Sequence, residues 1–285
     1  MDAVSDLSAE ERLRRLPNWP AAPTVTRLSV GRTNINYRVD AGGERFFARV
    51  AADLPHHGIV RSREALCASL AADLGVAPPV LHARDGVLVQ RFMDGETLRQ
   101  GEPVSPARLD RIVDVLRRIH EGRLPAETPD ANPAAWSRAY LARLAPSTLP
   151  QAQRARIEAI LSAAPAGERR GLIHTDLIPE NFIDDGRNMW LIDWEYAGLG
   201  DPATDLANLA MNFALDGAAV ERAVARHGNV DLATAKGLKD AVVVREALWC
   251  LIQIQAEGIR GDLADYTRLC LGRLGIDPAG IRGIG

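Results

Sequence analysis

The sequence predicts an α+β fold in two lobes, a small antiparallel β-sheet lobe with one helix and a larger, mostly helical lobe. Two observations predict this class. Short strand-like runs separated by turn residues fill the chain up to residue 93, and helical periodicity dominates from residue 94. We therefore predict two domains, 1–93 and 94–285. A chain of 285 residues with 47% hydrophobic content can bury a core in each.

The first lobe is predicted from its alternation of strand and turn residues. Within residues 25–50, the runs VTRL, INYRV and RFFARV are separated by the turns SVGRTN and DAGGE, which is a hairpin pattern. Residues 62–74, SREALCASLAADL, carry apolar residues at helical spacing and end before Gly75. LHAR and VLVQRF, on either side of an Asp-Gly turn, predict two more strands.

The second lobe is predicted to be helical with a few embedded strands. Ser105 and Pro106 are typical of a helix start, and that helix is expected to reach His120. Residues 133–163 predict two helices, and residues 202–275 are helical almost throughout. Short apolar runs in GLIHT, NFI and MWLID predict strands between these helices.

Composition narrows the class of protein. A net charge of −3 and a pI near 6.1 argue against a nucleic-acid-binding surface. Cys67, Cys250 and Cys270 form no CxxC pair and predict reduced thiols. The first 20 residues lack an apolar signal region, and no apolar run approaches the ~20 residues of a membrane span. We therefore expect a cytoplasmic protein with no membrane insertion. Lys236 and Lys239 are the only lysines, so a cation needed earlier in the chain must be arginine.

The segment GLIHTDLIPENF, residues 171–182, carries the strongest chemical signal. Asp176 and Asn181 are five residues apart, and the next apolar strand ends on Asp193. Phosphoryl transfer needs a carboxylate near the attacking hydroxyl and oxygen ligands for Mg²⁺. The spacing and lobe order match the catalytic and metal loops of protein kinases. The alternative is an ordinary pair of polar loops at strand ends.

The cation over the nucleotide phosphates is predicted to be Arg49, on the third strand. Glu64, near the start of the next helix, is its predicted ion-pair partner, as a lysine and a glutamate pair in kinases. An ordinary surface ion pair is the alternative. Gly31 and Asn34, in the turn SVGRTN, lie where a phosphate-binding loop is expected. One glycine is a weak signal by itself.

Over nearly its whole length the chain resembles the choline and ethanolamine kinases, within the aminoglycoside phosphotransferase and protein-kinase-like superfamily. The bacterial choline kinases are the most similar branch, and they also use an arginine on the third strand. The resemblance is carried by LSVGRTNINYRV, FFARV, REALCASLAADLGVAPPVL, RFMDGETL, IHTDLIPENFI, LIDWEYAGLGDPATDLANLA, REALWCLIQIQ and DYTRL. It implies a two-lobe protein-kinase-like fold.

The resemblance also implies ATP as co-substrate, Mg²⁺ and a set of site residues. Asp176 is the implied catalytic base, and Asn181 and Asp193 are the implied Mg²⁺ ligands. The implied nucleotide-binding residues are Gly31, Asn34, Arg49, Glu64, Gln90 and Met93, with the backbone of the hinge QRFMD, residues 90–94, facing adenine. The implied substrate-binding residues are Glu195, Asp205, Asn212, Trp249 and Tyr266.

The acceptor is expected to be a cation. A trimethylammonium group cannot donate conventional hydrogen bonds, and aromatic faces stabilise it by ~0.5–2 kcal/mol each. Trp249, Gln253 and Tyr266 match the substrate-pocket helices of the family, although core packing is the alternative for the two aromatic residues. The chain departs from eukaryotic choline kinases at Asn212, where they have an acid, and at Glu246, where they have a second tryptophan.

The resulting prediction is a kinase for the hydroxyl of a small amino alcohol, with choline as the expected acceptor. Ethanolamine and thiamine are alternative acceptors, an aminoglycoside is a weaker one, and a pseudokinase binding module is the alternative of a different class. The expected partner is a small cationic alcohol, and the protein is expected to be a monomer or a homodimer. His56 and His57 form a loop pair without a predicted role, and metal binding by them is not expected.

Overall fold

The computed structural model describes residues 7–17, 19–28, 35–165, 167, 171–259 and 261–284. The N-terminal part is an antiparallel sheet with strand order β1-β2-β3-β5-β4. Its elements are α1 (Ala9–Arg14), β1 (Thr24–Leu28), β2 (Ile35–Ala41), β3 (Glu44–Val50), α2 (Arg61–Asp73), β4 (Val80–Arg84) and β5 (Val87–Arg91). The five predicted strands and the predicted helix are confirmed.

The short helix α1 was not predicted, although its start has a clear sequence signal. Ser8 accepts a hydrogen bond from the Glu11 backbone N–H, and the Glu11 carboxylate accepts one from the Ser8 N–H at 2.9 Å. This reciprocal pair is a capping box. The helix packs Leu13 onto the sheet and is too short to show helical periodicity in the sequence.

Alternation along β3 separates the core of the sheet from the cleft. Phe46 and Ala48 are buried in a cluster that includes Leu13 of α1. Phe47 and Arg49 lie one residue out of phase, and both line a cavity on the opposite side of the sheet. The strand therefore delivers the Arg49 guanidinium to the cleft between the sheet and the rest of the chain.

The C-terminal part is mostly helical, as predicted. Its elements are β6 (Glu96–Thr97), α3 (Pro106–Glu121), α4 (Pro133–Arg143), α5 (Gln151–Ala163), β7 (Gly171–Ile173), a 3₁₀ helix (Pro179–Asn181), β8 (Phe182–Asp184), β9 (Met189–Leu191), β10 (Gly198–Gly200), α6 (Pro202–Asn212), α7 (Gly217–His227), α8 (Leu232–Gly237), α9 (Lys239–Glu257) and α10 (Leu263–Arg273). Strands β6, β8 and β9 form one small sheet, and β7 pairs with β10. Strands β6 and β10 were not predicted, because strands of two or three residues are too short to show an alternation of apolar and polar side chains. The predicted domain division at residues 93 and 94 lies between β5 and β6.

The glycine that ends the segment LIDWEYAG allows β10 to pass close to another backbone segment. A Cβ atom on Gly198 would lie 2.4 Å from the carbonyl oxygen of Pro129. The neighbouring Leu199 N–H donates to that same carbonyl at 2.7 Å. Any side chain at position 198 would push these two segments apart.

Helix α2 is anchored in the core of the helical part rather than only on the sheet. Cys67, Ala68 and Ala71 of α2 belong to one buried cluster with Ile112 of α3 and with Trp194. A second cluster surrounds α9. Because α2 carries Glu64, this packing holds the Glu64 carboxylate close to the loop that follows β9. Of the helices described, none combines the length and the apolar character that a membrane span requires.

Candidate active site

The loop after β7 is held in a strained conformation. Thr175, just before Asp176, has a φ of +65°, which is unusual for a β-branched residue. Its carbonyl oxygen accepts a hydrogen bond from Arg245 Nη1 at 2.6 Å, and its hydroxyl donates to the Tyr196 carbonyl at 3.2 Å. Strain of this kind persists only where the surroundings impose it. The two contacts therefore help to fix the direction of the Asp176 side chain.

Asp205 holds the same loop from below. Its carboxylate accepts hydrogen bonds from the backbone N–H groups of His174 and Thr175, both at 2.8 Å, and its Oδ2 lies 3.0 Å from His120 Nε2. Burial would raise the pKa of Asp205, but the bond to His120 and the backbone donors lower it below the usual range. Asp205 is 0% exposed. The predicted substrate contact is therefore replaced by a supporting role, because both carboxylate oxygens are already used.

Asn212 also packs beneath the loop after β7, which carries Asp176. Its side-chain N–H donates to Asn208 Oδ1 at 3.2 Å, and the same oxygen accepts from the Leu177 backbone N–H at 2.6 Å. Both asparagines are buried on α6. In this structure Asn212 braces the loop through Asn208, which differs from the predicted contact with substrate.

Asp176 and Asn181 are brought together as the spacing predicts. The Asn181 side-chain N–H donates to the Asp176 carbonyl at 2.8 Å and to its Oδ2 at 3.3 Å. These bonds use the amide nitrogen and leave Asn181 Oδ1 to act as an acceptor or a metal ligand. Burial raises the pKa of Asp176 to about 6, with Arg245 opposing the shift and Asp193 adding to it. Asp176 is therefore mostly ionised at neutral pH.

Arg49 lies at the centre of a buried cluster of charges. Its Nη1 contacts the Glu64 carboxylate and lies 2.8 Å from Asp193 Oδ1. Burial alone would lower the pKa of Arg49, but Asp193 and Glu64 outweigh it and raise the pKa. The structure therefore brings the predicted pair together and adds Asp193, whose own φ of +68° turns the chain sharply at this point.

Arg61 is a second cation in this cluster. Its Nη1 lies 2.7 Å from Glu64 Oε2 and 3.0 Å from Glu195 Oε2. Burial raises the pKa of Glu195 to about 7, and the nearby Asp193 adds to the shift. Glu195 was predicted to bind the substrate, whereas here its carboxylate lies between the arginines beside Glu64.

The cluster has the chemistry of a magnesium site. Two arginines face three carboxylates, and because Glu195, with a pKa of about 7, is about half ionised at neutral pH, the negative charge in excess is less than one. A carboxylate oxygen from Asp193 and an amide oxygen from Asn181 are ligands that Mg²⁺ prefers, and Mg²⁺ completes its shell with water and phosphate oxygens. The part of the chain that the structure describes contains no group of three or more His, Cys, Asp or Glu placed to hold a metal, so the protein would supply only a few of the ligands. The residues fit Mg²⁺.

An apolar cavity extends from this cluster under the sheet. Its lining includes the apolar residues Phe47, Leu88, Met93, Ile183 and Ile192 and the charged residues Arg49 and Asp193. This arrangement suits a planar base with its phosphates directed at the charges.

Gln90 and the hinge offer fewer polar groups than predicted. The buried Gln90 side chain donates to the Pro78 carbonyl at 3.2 Å. The N–H groups of Arg91 and Phe92 already donate to backbone carbonyls, so neither is available to adenine. Met93 is the remaining hinge residue among those predicted to bind the nucleotide. The predicted positions Gly31 and Asn34 lie outside the described residues.

Aromatic side chains lie around the buried Arg245, whose charge acts on Asp176. Trp249 Nε1 donates to the Tyr196 hydroxyl at 2.8 Å. The Arg245 guanidinium lies 4.7 Å from the Tyr196 ring centroid and 5.8 Å from that of Trp136. Trp249 and Tyr266 are partly buried against the α9 core. Each of the two residues therefore packs on the core and is also a candidate for lining an acceptor pocket.

Glu246 is the acidic residue beside Arg245. Its Oε1 lies 3.2 Å from Arg245 Nη1. Burial raises the pKa of Glu246 to about 7, with Arg245 opposing the shift and Asp176 adding to it. The charge of Glu246 also contributes to the raised pKa of Tyr266, which is dominated by burial. Glu246 therefore lies within electrostatic reach of both the catalytic loop and Tyr266.

The sequence analysis did not identify Arg61, Arg245 or Trp136. Arg61 lies three residues before Glu64, a spacing that brings side chains together on a helix, and this signal was available. Arg245 is a charged residue in an apolar helical stretch, which hints at a buried role but does not show its partner. Trp136 had no signal, because its contacts come from residues far away in sequence.

An antiparallel sheet with one helix, packed on a helical part whose loops present Asp176, Asn181 and Asp193, is the architecture of the protein-kinase-like phosphotransferases. A sequence model of the phosphotransferase enzyme family (APH) matches residues 24–238. Since this match covers most of the chain, the chain belongs to that family.

Known relatives agree with this assignment. The chain is 28% identical to the protein LicA of Haemophilus influenzae over 188 residues, and the match spans 63% of this chain but only 55% of LicA. A choline/ethanolamine kinase family protein from Mesorhizobium loti is 26% identical, with a TM-score of 0.71 over 94% of this chain and 92% of that one. The choline kinase LicA of Streptococcus pneumoniae, at 22% identity, has the same fold, with a TM-score of 0.71 over 88% and 93%.

Proposed function

We propose that the protein transfers the γ-phosphate of ATP, with Mg²⁺, to the hydroxyl of a small cationic amino alcohol, and that choline is the acceptor. The observation that carries this proposal is that Asp176 interacts electrostatically both with Asp193 of the Arg49 cluster and with Arg245 and Glu246 of α9, the helix that carries Trp249. A phosphate held by the Arg49 cluster and a cationic alcohol held beside Trp249 would then meet at Asp176. The names of the Mesorhizobium and Streptococcus proteins support the same reaction class.

Asp176 is assigned the role of base. A general base works best when its pKa lies near the working pH, and burial raises the pKa of Asp176 to about 6. The group is then ionised at neutral pH and still basic enough to accept the proton of the acceptor hydroxyl. The hydrogen bond that Asn181 Nδ2 donates to Asp176 Oδ2 restricts the orientation of this carboxylate.

Arg49 is assigned to the phosphates. Its fork of N–H donors faces the cleft from β3 and is held in place by Glu64. Mg²⁺ held by Asn181 and Asp193 would neutralise charge on the phosphate oxygens. Arg61 and Glu64 then serve to position Arg49, since α2 ties both to the core of the helical part.

The acceptor's cationic end is assigned to the Trp249 side. An indole face is the best aromatic surface for a quaternary ammonium. Glu246 supplies negative charge near it. This carboxylate also favours a second candidate acceptor, ethanolamine, because a primary ammonium can donate hydrogen bonds to a carboxylate and a trimethylammonium cannot.

A coupled ADP-release assay with choline, ethanolamine, thiamine and an aminoglycoside tests the proposal. We expect the highest kcat/KM with choline and the second highest with ethanolamine. Turnover of thiamine far above that of choline would contradict the choice of acceptor. If the protein failed to bind ATP and Mg²⁺ in calorimetry, the phosphotransferase proposal itself would be wrong and the pseudokinase alternative would be correct.

A further inference from the structure

The turn between β3 and α2 carries the histidine pair for which the sequence analysis found no role. Leu54 and Ile59 pair as an isolated antiparallel bridge, and residues 55–58, Pro-His-His-Gly, close the turn between them. Gly58 has a φ of +72°. We call residues 54–59 the His57 turn. It belongs to the N-terminal part of the chain but projects toward α4 and α9.

His57 is buried against α9, with 1% of its surface exposed. Its ring stacks on Trp249 with the centroids 4.9 Å apart and the planes 22° apart. Its Nε2 lies 2.5 Å from Gln253 Oε1, one helical turn beyond Trp249. The side chain therefore covers one face of the indole and is bonded to the same helix.

Helix α4 holds the backbone of the turn. The Tyr140 hydroxyl donates to the His57 carbonyl at 2.8 Å. Arg143 Nη1 donates to the carbonyls of Pro55 at 3.1 Å and His56 at 3.0 Å. Three hydrogen bonds from one helix fix a turn that would otherwise project into solvent.

A continuous chain of contacts leads from the turn to the catalytic loop. Trp249, beneath His57, donates to the Tyr196 hydroxyl. The Arg245 guanidinium covers the Tyr196 ring and donates to the Thr175 carbonyl, next to Asp176. Movement of His57 would therefore leave the indole of Trp249 without its stacking partner. It would also loosen the contacts through Tyr196 and Arg245 that reach the loop carrying Asp176.

We propose that His57 is a positioning residue of the acceptor site, which acts from the nucleotide-binding part of the chain by holding Trp249 in place. This inference rests on the proposed function, because it takes Trp249 to face the acceptor. It makes the acceptor site a joint product of both parts of the chain. Acceptor affinity then depends on how the β3–α2 turn is seated.

The ring of His57 is neutral in this arrangement. Burial lowers the pKa of His57 to about 4; the hydrogen bond to Gln253 opposes the shift, and His56 contributes to it. Its Nδ1 is buried without a hydrogen-bond partner among the residues that the structure describes, which suits a ring protonated only on Nε2.

Charged and titratable groups face His57 from three elements. These are His56 on the turn itself, Tyr140 and Arg143 on α4, and Arg245 and Glu257 on α9. Arg245 disfavours the imidazolium form and Glu257 favours it, but burial outweighs both. Lifting the turn would expose the ring, whose pKa would then return to about 6.5. Each pH unit below about 6.5 therefore favours the lifted turn about tenfold, down to the buried value of about 4.

Steady-state kinetics of three variants test the proposal. His57→Ala removes the stacking and the Gln253 bond, and His57→Phe keeps a flat ring that cannot titrate. His56→Ala is the matched control, since its side chain forms no described hydrogen bond to α9. At about pH 7.5 we expect His57→Ala to raise the KM for choline about 3- to 10-fold, no more than removal of Trp249 itself, with the KM for ATP changed by less than about twofold. His56→Ala should match the wild type, and His57→Phe should recover part of the loss.

The pH dependence separates positioning from a general structural effect. Choline carries no titrating proton, so its KM reports on the protein. From about pH 7.5 to about pH 5.5, the lifting equilibrium of the wild type shifts about tenfold, so the ratio of the wild-type KM to that of His57→Phe should rise by at most about tenfold. Groups common to both proteins, such as Asp176 and Glu246, cancel in this ratio. A constant ratio, or a His57→Ala variant that raises the KM for ATP and for choline equally, would overturn the proposal.

The proposal can also fail or hold independently of the acceptor. If the wild type used none of the tested alcohols, the proposed function would be wrong, and the turn would still be tested by melting temperatures. The buried neutral histidine stabilises fully above about pH 6.5 and loses this contribution as the pH falls. The wild type should therefore lose more melting temperature than His57→Phe between about pH 7.5 and about pH 5.5. Equal losses in the two proteins would contradict a seated, neutral His57.

Discussion

Two buried arginines lie in the candidate active site, and their surroundings are opposite in kind: Arg49 bonds to Asp193, and Arg245 bonds to the Thr175 carbonyl, next to Asp176. Arg49 lies among three carboxylates, two of which contact its Nη1 directly. Arg245 forms one described ion pair, with Glu246, and otherwise contacts a backbone carbonyl and the faces of Tyr196 and Trp136.

The comparison separates two functions of a buried cation. The Arg49 cluster has negative charge in excess, so it is suited to receive Mg²⁺ and still direct donors at phosphates. Arg245 is positioned by geometry, and its contacts restrain the strained loop that carries Asp176. We infer that the first arginine serves binding and charge, and that the second serves the shape of the loop and the pKa of the base.

The largest effect is expected at the nucleotide side. Arg49→Met should lower kcat/KM for ATP by about 10³-fold or more, the scale seen when an arginine that stabilises phosphoryl charge is removed. Arg49→Lys keeps the charge but loses the planar fork, so a smaller loss is expected. Initial rates at varied ATP check both variants. If Arg49→Met kept kcat/KM within about tenfold of the wild type, the assignment of Arg49 to the phosphates would be wrong.

Replacement of Arg245 should instead change the pH dependence of kcat. The charge of Arg245 opposes the rise in the pKa of Asp176, so Arg245→Met should raise that pKa above about 6. Because Asp176 must be ionised to accept a proton, the fall of kcat at acidic pH should begin at a higher pH in this variant. Arg245→Lys is the control that keeps the charge. A kcat profile unchanged in Arg245→Met would show that the two groups do not interact.

The smallest of these effects is expected at the aromatic wall. Trp249→Ala should raise the KM for choline by about 2- to 30-fold, equivalent to the ~0.5–2 kcal/mol of one cation–π contact. The KM for ethanolamine should rise less, since a primary ammonium has hydrogen bonds as an alternative. Trp249→Phe keeps an aromatic face and loses only the bond to Tyr196, so it is the matched control. Equal increases for both acceptors would identify Trp249 as a core residue only.

The difference between Arg49 and Arg245 also shows how much of the site could be predicted from the sequence. Arg49 was predictable from local signals, and Arg245 was not. Asp176, Asn181 and Asp193 lie close together in the chain, at the ends of two short strands, and their spacing matches the catalytic and metal loops of protein kinases. Arg49 and Glu64 were predictable from their places on β3 and α2. The five strands of the first sheet follow from alternation and turn residues. All of these signals are local.

The residues that were missed depend on long-range packing. The partners of Arg245 are Thr175 and Tyr196, about 50 to 70 residues away, and no periodicity reports such contacts. His57 and Trp249 meet only because the β3–α2 turn reaches α9. Asp205 and Asn212 were placed at the substrate through family resemblance, whereas burial and backbone hydrogen bonds place them beneath the loop.

The most direct test of the central claim compares choline-dependent ADP release by the wild type, Asp176→Asn and Glu180→Gln. Glu180 is an exposed acid on the same loop, four residues beyond Asp176, and serves as the matched control. Loss of a general base lowers turnover by about 10²- to 10⁴-fold, and we expect a loss of this size in Asp176→Asn with ATP affinity changed by less than about threefold. Glu180→Gln should retain wild-type turnover. Choline-dependent turnover that survived in Asp176→Asn would contradict the assignment of Asp176 as the base.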